Sequence, residues 1–449
     1  MMNFKVDFNR SVGKVKPMHA TNNGPVYKFA SDQRITNIDA FREAGIPYAR
    51  NHDAALYSIY GGEHTVDVHN IFPDFDADPY DPASYDFAVT DEYVRVCEFA
   101  DVRTFYRLGS KIEHGVKKYG TLPPKDFHKW AVICEHIVRH YTEGWADGFR
   151  YDMKYWEIWN EPDLDPDDST HKRCWGGTKL QFFDLFEIAA KHLKGCFPHL
   201  KIGGPALAGK MDWAEDFLAE MQKRHVPMDF FSWHRYAGDP AKIARRAEEV
   251  RTLLDRYGYE ASESILNEWN YVRGWRGDDW YYSLKAEKSL KGSSFIASVM
   301  CDSQRGSVDL LMYYDARPTS MNGMFCTDYV CECLKGYYPF KMFQSLYRLG
   351  ECVESSCDCE EGHICAAKSE DEAAVMLTYF SDDDEKPAEE IAVDLAGFGG
   401  ENGVEVEIFV LDETRDLEKV TTFVAFGDRV IWKPQIACLT SYLIKLKKQ

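Results

Sequence analysis

The chain has 449 residues, of which 45% are hydrophobic, and its formal net charge at pH 7 is −20. This length suits a large barrel with an accessory domain, and the composition is that of a globular protein rather than a disordered or fibrous one. The acidic charge excludes nucleic acid and anionic membranes as main partners, because both require a basic surface. No apolar run approaches the roughly 20 residues of a membrane helix, so no membrane partner is expected.

Cysteine usage and the first residues bear on the cellular location. The 13 cysteines are an odd number and are scattered through predicted helices and strands, which indicates free thiols in a reducing compartment. The first residues lack the apolar core of a signal peptide, so we expect a cytoplasmic protein. Two close cysteine pairs have one residue between them, which is not zinc-site spacing. We predict no metal and no cofactor, and a homo-oligomer stays an open alternative.

The first two thirds of the chain predict a barrel. After an alternating segment at 3–8, short apolar or β-branched runs alternate with helical patterns, as expected for strands that are buried on both faces. Eight such strands with right-handed crossovers predict a (β/α)8 TIM barrel over 15–349. The expected strands are 15–20, 46–52, 103–108, 155–161, 201–204, 230–236, 264–268 and 308–314. The clearest helical patterns are 91–100, 125–141, 180–193 and 241–257.

The character of the chain changes after residue 350. Alternating runs at 390–395, 404–410 and 438–446 are separated by glycine-rich turn signals, a pattern typical of antiparallel strands. We therefore predict an α/β protein in which the barrel carries an accessory antiparallel β-sandwich over 350–449, with residues 1–14 contributing an N-terminal strand to it. The acidic run 382–385 predicts a solvated loop.

Two motifs carry the chemistry. Trp159-Asn160-Glu161-Pro162 ends the fourth predicted strand, where Pro162 lacks the N–H needed to continue the ladder, and Asn267-Glu268-Trp269-Asn270 ends the seventh. Active sites of such barrels lie at the C-terminal ends of the strands, so both glutamates are expected to face one cleft. Paired carboxylates are what cleavage of a glycosidic bond requires. The alternative is that each glutamate is a structural, hydrogen-bonded carboxylate.

These motifs resemble the catalytic signatures of the clan A retaining glycoside hydrolases, and most closely those of glycoside hydrolase family 39. The resemblance covers most of the chain. It implies Glu161 as the acid/base, Glu268 as the nucleophile and Asn160 as a ligand of the sugar 2-hydroxyl. It further implies a retaining enzyme that removes terminal sugars from oligosaccharides or glycosides by double displacement, most closely a xylan 1,4-β-xylosidase.

Other readings of the substrate stay open. Asn267 stands where β-xylosidases of the family usually have threonine. An α-L-iduronidase, arabinofuranosidase or galactosidase type of activity is therefore an alternative, and so is a non-catalytic carbohydrate-binding barrel, since a fold alone does not assign a function.

Three further side chains fit the clan. Arg50, which ends the second predicted strand, would hold the nucleophile ionised through a charge-assisted bond. His234 and Tyr236 are two residues apart on the sixth strand, so both can project from one face, and the resemblance implies that Tyr236 donates to the nucleophile. The alternatives are a structural ion pair for Arg50 and a satisfied core histidine for His234.

The walls of a sugar pocket are expected near the second and seventh strands. His52, Trp269 and Trp275 are predicted to bind substrate, because sugar faces stack on aromatic rings and sugar hydroxyls need planar polar partners. Arg273 and Arg276 could bind a carboxylated sugar, although exposed arginines are common. The loop after the second strand offers more aromatic and polar candidates, whose spacing matches no standard metal site. They are Tyr57, Tyr60, His64, Asp67, His69, Phe72, Phe75 and Tyr80.

Overall fold

The computed structural model describes residues 1–30, 33–53, 66–318, 321–326, 332–400 and 402–449. Its two main sheets are a closed barrel and a larger, mixed sheet. Strand β1, Met2–Lys14, belongs to the larger sheet, and the chain then enters the barrel at β2, Ala20–Asn22. A small hairpin of β3, Tyr27–Ala30, and β4, Gln33–Thr36, follows outside the barrel.

The barrel has eight strands, and every neighbouring pair is parallel. This arrangement confirms the predicted TIM barrel. After β2, its strands are β5 Tyr48–Arg50, β6 Arg103–Leu108, β7 Tyr155–Ile158, β8 Lys201–Leu207, β9 Phe230–His234, β10 Glu263–Glu268 and β11 Leu310–Tyr313.

The first barrel strand lies later in the chain than the sequence predicts. The expected strand was 15–20, whereas β2 begins at Ala20. The reason is that β1 continues to Lys14 and the following residues connect the two sheets. The Val15 N–H donates to the Gly350 carbonyl at 2.9 Å, and Pro17 has no N–H to offer a ladder.

The described part of the chain contains ten α-helices. Those around the barrel pack apolar stripes against its strands. Side-chain caps fix several starts: Asp126 accepts N–H bonds at the start of α4, and Thr178 with Gln181 forms a capping box at the start of α5. Within the described residues, no helix is both long and apolar enough to cross a membrane. The helices are α1 Ile38–Ala44, α2 Val68–Ile71, α3 Ala88–Phe99, α4 Phe127–Thr142, α5 Lys179–Cys196, α6 Met211–Lys223, α7 Pro240–Arg256, α8 Gly277–Ala286, α9 Leu290–Arg305 and α10 Tyr338–Tyr347.

The larger sheet forms the accessory sandwich. Strands from both of its ends, among them β15 (Glu389–Ala396) and β16 (Val404–Leu411), contribute side chains to one buried core, so the sheet folds over itself. It is not wholly antiparallel, because β1 pairs parallel with β15 and antiparallel with β12. The strands after β1 are β12 Glu351–Cys357, β13 Gly362–Lys368, β14 Glu372–Tyr379, β15 Glu389–Ala396, β16 Val404–Leu411, β17 Asp416–Ala425, β18 Arg429–Trp432, β19 Gln435–Ile436 and β20 Ser441–Lys448.

The acidic run of the sandwich is largely exposed, and two of its carboxylates contact the barrel. Asp382 pairs with Arg273 at 3.0 Å and accepts a hydrogen bond from the Tyr271 hydroxyl. Asp384 pairs with Lys291 of α9 at 2.5 Å. Residues 383–385 are exposed, as expected of a solvated loop, whereas Asp382 is half-buried by partners that the local sequence does not reveal.

The N-terminal strand is expected to be essential for the sandwich. Phe4 is fully buried in the sandwich core, so Phe4→Ala should lower the free energy of unfolding by about 3–5 kcal/mol. Lys5 lies next to it on β1 and is exposed, so Lys5→Ala should change that free energy by less than about 0.5 kcal/mol. Urea denaturation of both variants checks this, and equal midpoints would contradict the assignment of Phe4 to the core.

Candidate active site

The backbone after β7 turns sharply to bring two polar side chains to the barrel mouth. Trp159 and Glu161 have φ values of 73° and 48°, in the left-handed region that costs a non-glycine residue about 1–3 kcal/mol. The Glu161 N–H donates to the Ala206 carbonyl at 2.9 Å, and the Trp159 N–H donates to the Leu108 carbonyl at 2.7 Å. These bonds to β8 and β6 hold the strained turn that aims Asn160 and Glu161.

Glu268, at the end of β10, is surrounded by donors. Arg50 donates to its Oε1 at 2.8 Å, and the Tyr236 hydroxyl donates to its Oε2 at 2.9 Å. His234 Nδ1 lies 3.4 Å from the same Oε2. Burial raises the pKa of Glu268 above its usual value, and His234 and Arg50 limit that rise. Two strong donors to the charged form favour an ionised carboxylate.

Glu161 has a poorer set of partners. His234 Nδ1 lies 2.9 Å from its Oε1, and the Cys174 thiol lies 3.8 Å from its Oε2. Burial raises the pKa of Glu161 to about 7, the carboxylate of Asp53 adds to the rise, and the charge of Arg50 opposes it. A carboxyl group in these surroundings is protonated below neutral pH and can release its proton near pH 7.

The two carboxyl groups face each other across a narrow gap. A carboxylate oxygen of each, together with a ring nitrogen of His234, lies within 4.8 Å of the other two atoms. Burial lowers the pKa of His234 to about 4, so its imidazole is neutral at pH 7. One ionised and one protonated carboxyl group can attack a saturated carbon and protonate its leaving oxygen.

Arg50 ties Asn160 to this pair. Its Nη2 donates to the Asn160 Oδ1 at 2.7 Å, so the amide nitrogen of Asn160 faces the other way. That buried nitrogen has no hydrogen-bond partner among the described residues. An unpartnered buried donor beside the two glutamates is a candidate for binding a substrate hydroxyl.

His52 is also brought to the site. It is buried, and its Nε2 lies 3.8 Å from Glu268 Oε1 and 3.7 Å from Asp53 Oδ1. Burial holds its pKa well below the usual value. The ring is therefore a neutral polar group at neutral pH.

The two predicted tryptophans occupy different parts of the structure. Trp275 is 56% exposed, packs edge-on against Tyr236 with ring centroids 5.1 Å apart, and stacks on Trp280. It lies at the mouth of the site. Trp269 is fully buried and packs against Tyr313 and Phe295. The structure does not bring Trp269 into the cleft, because its ring lies in the core outside the strands, in the segment that follows β10.

A cavity of about 830 Å³ is lined by Asp53 and Tyr314, and neither Glu161 nor Glu268 is part of its wall. Asp53 forms part of its wall, where it accepts a hydrogen bond from the Tyr314 hydroxyl at 2.6 Å and pairs with Arg317 at 3.2 Å. His69 also lines the cavity. The volume of the cavity is large enough for more than one sugar unit.

Of the other candidates in the loop after the second strand, Asp67 also lines this cavity. Asp67 is buried in an ion pair with Arg107 at 2.6 Å, and Phe72 is buried in the core. Phe75 is partly buried, and Tyr80 is 65% exposed and packs against His136. Tyr57, Tyr60 and His64 lie outside the described residues.

Several residues near the glutamates were not predicted. Glu157 lies within β7 and contacts Arg50 at 2.7 Å, and Cys174 contacts Glu161. The signal for Glu157 was a charged residue inside an otherwise apolar strand, which is costly unless a partner is present. No local signal singles out Cys174, whose contact comes from a loop 13 residues further along.

In the part of the chain that the structure describes, two groups of side chains place atoms that can bind a metal ion close together. Glu161, His234 and Glu268 form one such group, and Glu135, His192 and Cys196 on the outside of the barrel form another among the described residues. In the first group, the Arg50 guanidinium already occupies an oxygen of Glu268, and its positive charge disfavours a cation there.

The chain is similar to known glycoside hydrolases. The family model of glycosyl hydrolases family 39 matches residues 9–262, more than half of the chain. A curated β-xylosidase of Geobacillus stearothermophilus is 32% identical over 160 residues, which are 35% of this chain and 29% of that protein. The chain therefore spans less than a third of the length of that relative.

Solved structures resemble the whole chain. A glucosidase from Croceicoccus marinus matches with a TM-score of 0.81 at 21% identity, covering 100% of this chain and 99% of that one. A monomeric β-xylosidase from Caulobacter crescentus matches with a TM-score of 0.69 at 16% identity, covering 99% of each chain. These likenesses establish the shared fold, and the match to the family model shows that the chain belongs to glycosyl hydrolases family 39.

Proposed function

We propose that this protein is a retaining glycoside hydrolase that removes terminal sugars from oligosaccharides or glycosides, with β-xylosides as its substrates. The observation that carries the proposal is the pair of buried carboxyl groups, Glu161 and Glu268, with oxygens within 4.8 Å of each other. Retaining enzymes hold their carboxyl groups about 5–5.5 Å apart, whereas inverting enzymes leave about 6.5–9.5 Å for a water molecule. The short separation favours double displacement.

In the first step, the Glu268 carboxylate attacks the anomeric carbon while Glu161 gives its proton to the departing glycosidic oxygen. Arg50 and Tyr236 keep Glu268 ionised by donating to both of its oxygens. The product is a glycosyl ester on Glu268, and the aglycone leaves as an alcohol. The bond to the anomeric carbon moves from the leaving oxygen to the Glu268 oxygen.

In the second step, Glu161 is ionised and takes a proton from water as that water attacks the anomeric carbon. The ester bond to Glu268 breaks, and the sugar is released with its original configuration. Esterification of Glu268 removes a nearby negative charge, which favours the ionised form of Glu161 at the stage where a base is needed. The imidazole of His234 lies between the two carboxyl groups and is neutral, so it contacts both of them in each step without adding a charge.

The sugar is assigned on different grounds. The relative that is 32% identical is named a β-xylosidase, which supports xylose. The exposed Trp275 beside Tyr236 is a suitable surface for a sugar face. Arg273, a candidate for binding a uronic acid, is engaged by Asp382 and stacks on Tyr282 at 3.8 Å, so it favours a neutral sugar instead.

A cytoplasmic location is part of the proposal. The 12 cysteines that the structure describes are free thiols, which are typical of a reducing compartment. Fractionation of the source cells with an antibody to the protein tests the location, and detection only outside the cytoplasm would reject it.

The roles of the two glutamates can be separated with azide. Glu268→Ala should lower kcat on an activated aryl β-xyloside by roughly 10⁴-fold or more, on the scale of losing a catalytic nucleophile. Azide should then restore turnover by attacking the anomeric carbon from the side that the Glu268 carboxylate occupied. The product should be a glycosyl azide of inverted configuration. NMR of the product identifies the anomer. Normal turnover by Glu268→Ala would reject the assignment of the nucleophile.

Loss of the acid/base should depend on the leaving group. Glu161→Ala should lower kcat/KM by about 10²–10⁴-fold on substrates with poor leaving groups, and much less on a dinitrophenyl glycoside, which needs no proton. Azide should attack the glycosyl ester and give a product of retained configuration. An equal loss on both kinds of substrate would be incompatible with this role.

The pH profile should report the raised pKa of Glu161. The acid form is needed for the first step and is lost as pH rises through about 7, so kcat/KM should fall on the alkaline side with a midpoint near that pH. The alkaline limb should be absent in Glu161→Ala assayed with the dinitrophenyl substrate. If it persists in that variant, another group titrates.

A panel of aryl glycosides tests the sugar. The β-xyloside should have the highest kcat/KM, above the arabinofuranoside, galactoside and iduronide, and the first-formed sugar should retain its configuration. Preference for another sugar with the same stereochemistry would replace the assignment of xylose and leave the mechanism intact. Binding without turnover of any glycoside would instead indicate a carbohydrate-binding barrel.

A further inference from the structure

A third carboxylate lies beneath the two glutamates of the proposed mechanism. Glu157, within β7, is fully buried and reaches Arg50 of β5 and Asn267 of β10 across the barrel interior. It makes no contact with Glu161 or Glu268 among the described hydrogen bonds and ion pairs. A buried carboxylate is costly unless its charge and both oxygens have partners.

Both oxygens of Glu157 are occupied. Arg50 Nε donates to its Oε2 at 2.7 Å, and the Asn267 amide donates to its Oε1 at 2.5 Å. One partner belongs to β5, and the other is adjacent to Glu268 on β10. Glu157 therefore connects three strands at the level just below the reacting groups.

The bond to Nε restricts the guanidinium of Arg50. This group is planar, with its donors in a fixed fork. When Nε is held by Glu157, the two terminal nitrogens point to fixed positions: Nη1 reaches Glu268 Oε1 at 2.8 Å, and Nη2 reaches Asn160 Oδ1 at 2.7 Å. Rotation of the plane would break both contacts at once.

The contact to Asn160 determines which end of that amide is presented. Because the carbonyl oxygen accepts from Arg50, the amide nitrogen is left without a partner among the described residues. The amide therefore offers a donor rather than an acceptor. In the proposed reaction, this donor would bind the oxygen at position 2 of the sugar, where contacts strengthen in the transition state.

The charges also depend on Glu157. Arg50 is fully buried and lies between two carboxylates, Glu157 and Glu268. With both present, the positive charge of Arg50 is shared between them. Without the negative charge of Glu157, the whole field of Arg50 would act on Glu268, stabilise its ionised form and make it a weaker nucleophile.

We propose that Glu157 is a positioning residue: its carboxylate fixes the rotation of the Arg50 guanidinium, and through it the orientation of the Asn160 amide and the charge on Glu268. The inference rests on the proposed glycosidase function and extends it to a residue that touches neither the substrate nor the reacting atoms. Two separate properties should then depend on Glu157: the contribution of the sugar 2-hydroxyl to kcat/KM, and the pH profile of kcat/KM.

The first experiment is Glu157→Gln in the full chain, with an activated aryl β-xyloside and its 2-deoxy analogue as substrates. The variant keeps the shape of the side chain and removes its charge. The expected kcat/KM on the parent sugar is about 10- to 100-fold lower, the range seen when a residue that orients a functional group is lost. The loss on the 2-deoxy sugar should be several-fold smaller, because the contact from Asn160 is already missing there.

The second readout of the same variant is the acidic limb of kcat/KM. Since the field of Arg50 would act fully on Glu268, the pKa of Glu268 should fall and the limb should move to lower pH. Equal losses on the two sugars together with an unmoved acidic limb would overturn the proposal, because a merely structural residue predicts that combination.

Two further variants control for folding. Glu263→Gln also replaces a strand glutamate with glutamine, but Glu263 lies at the other end of β10, where it pairs with Lys201. This variant should leave unchanged the acidic limb of kcat/KM and the ratio of kcat/KM on the two sugars. If Glu157→Gln does not fold, Asn267→Ala removes the other contact of Glu157 and keeps its charge. That variant should lower kcat/KM on the parent sugar more than on the 2-deoxy sugar, and equal losses would count against the proposal.

The outcomes separate this inference from the function on which it rests. If Glu268→Ala is inactive and rescued by azide while Glu157→Gln behaves like Glu263→Gln, the glycosidase assignment stands and the positioning role is wrong. If Glu268→Ala is fully active, the proposed function itself fails.

Discussion

The Arg50 guanidinium is a permanent positive charge that has no access to water, and the arrangement of the site depends on how that charge is neutralised. Glu157 and Glu268 flank it at 2.7 and 2.8 Å. Removing one partner from a buried ion pair leaves an uncompensated charge, which is far more costly than the pair itself. The second, fourth and seventh strands of the barrel are thereby connected by one cation, and the position of the nucleophile candidate is set where they meet.

The two glutamates are chemically identical, and their different environments come from the donors around them. Glu268 receives hydrogen bonds from Arg50 and Tyr236, whereas Glu161 has the weak Cys174 thiol and neutral His234. Burial acts on both, so the contrast lies in the stabilisation of the charged form. Arg50 donates a hydrogen bond to Glu268 and not to Glu161. It therefore stabilises the charged form of only one of two carboxyl groups whose oxygens are within 4.8 Å of each other.

The sequence predicts the barrel, and it places both glutamates at strand ends, because short buried strands and Asn-Glu pairs are local signals. The partners of those residues are less visible. The Glu157 contact with Arg50 spans 107 residues, and no local pattern records it. Trp269 was expected in the cleft because it is adjacent to Glu268, but its ring packs in the core against Tyr313 and Phe295. The first strand was placed too early, since β1 runs further than its alternating pattern suggests.

Contacts from the sandwich also position part of the cleft. The segment that follows β10 carries the exposed Trp275 at the mouth of the site, and Arg273, two residues before it, is held by Asp382 of the sandwich. Tyr271 donates to the same carboxylate. A loop that projects from a barrel is ordinarily the most mobile part of it. Here the accessory sheet supplies a carboxylate that fixes the base of this loop, so that the aromatic wall beside Tyr236 is positioned by both domains rather than by the barrel alone.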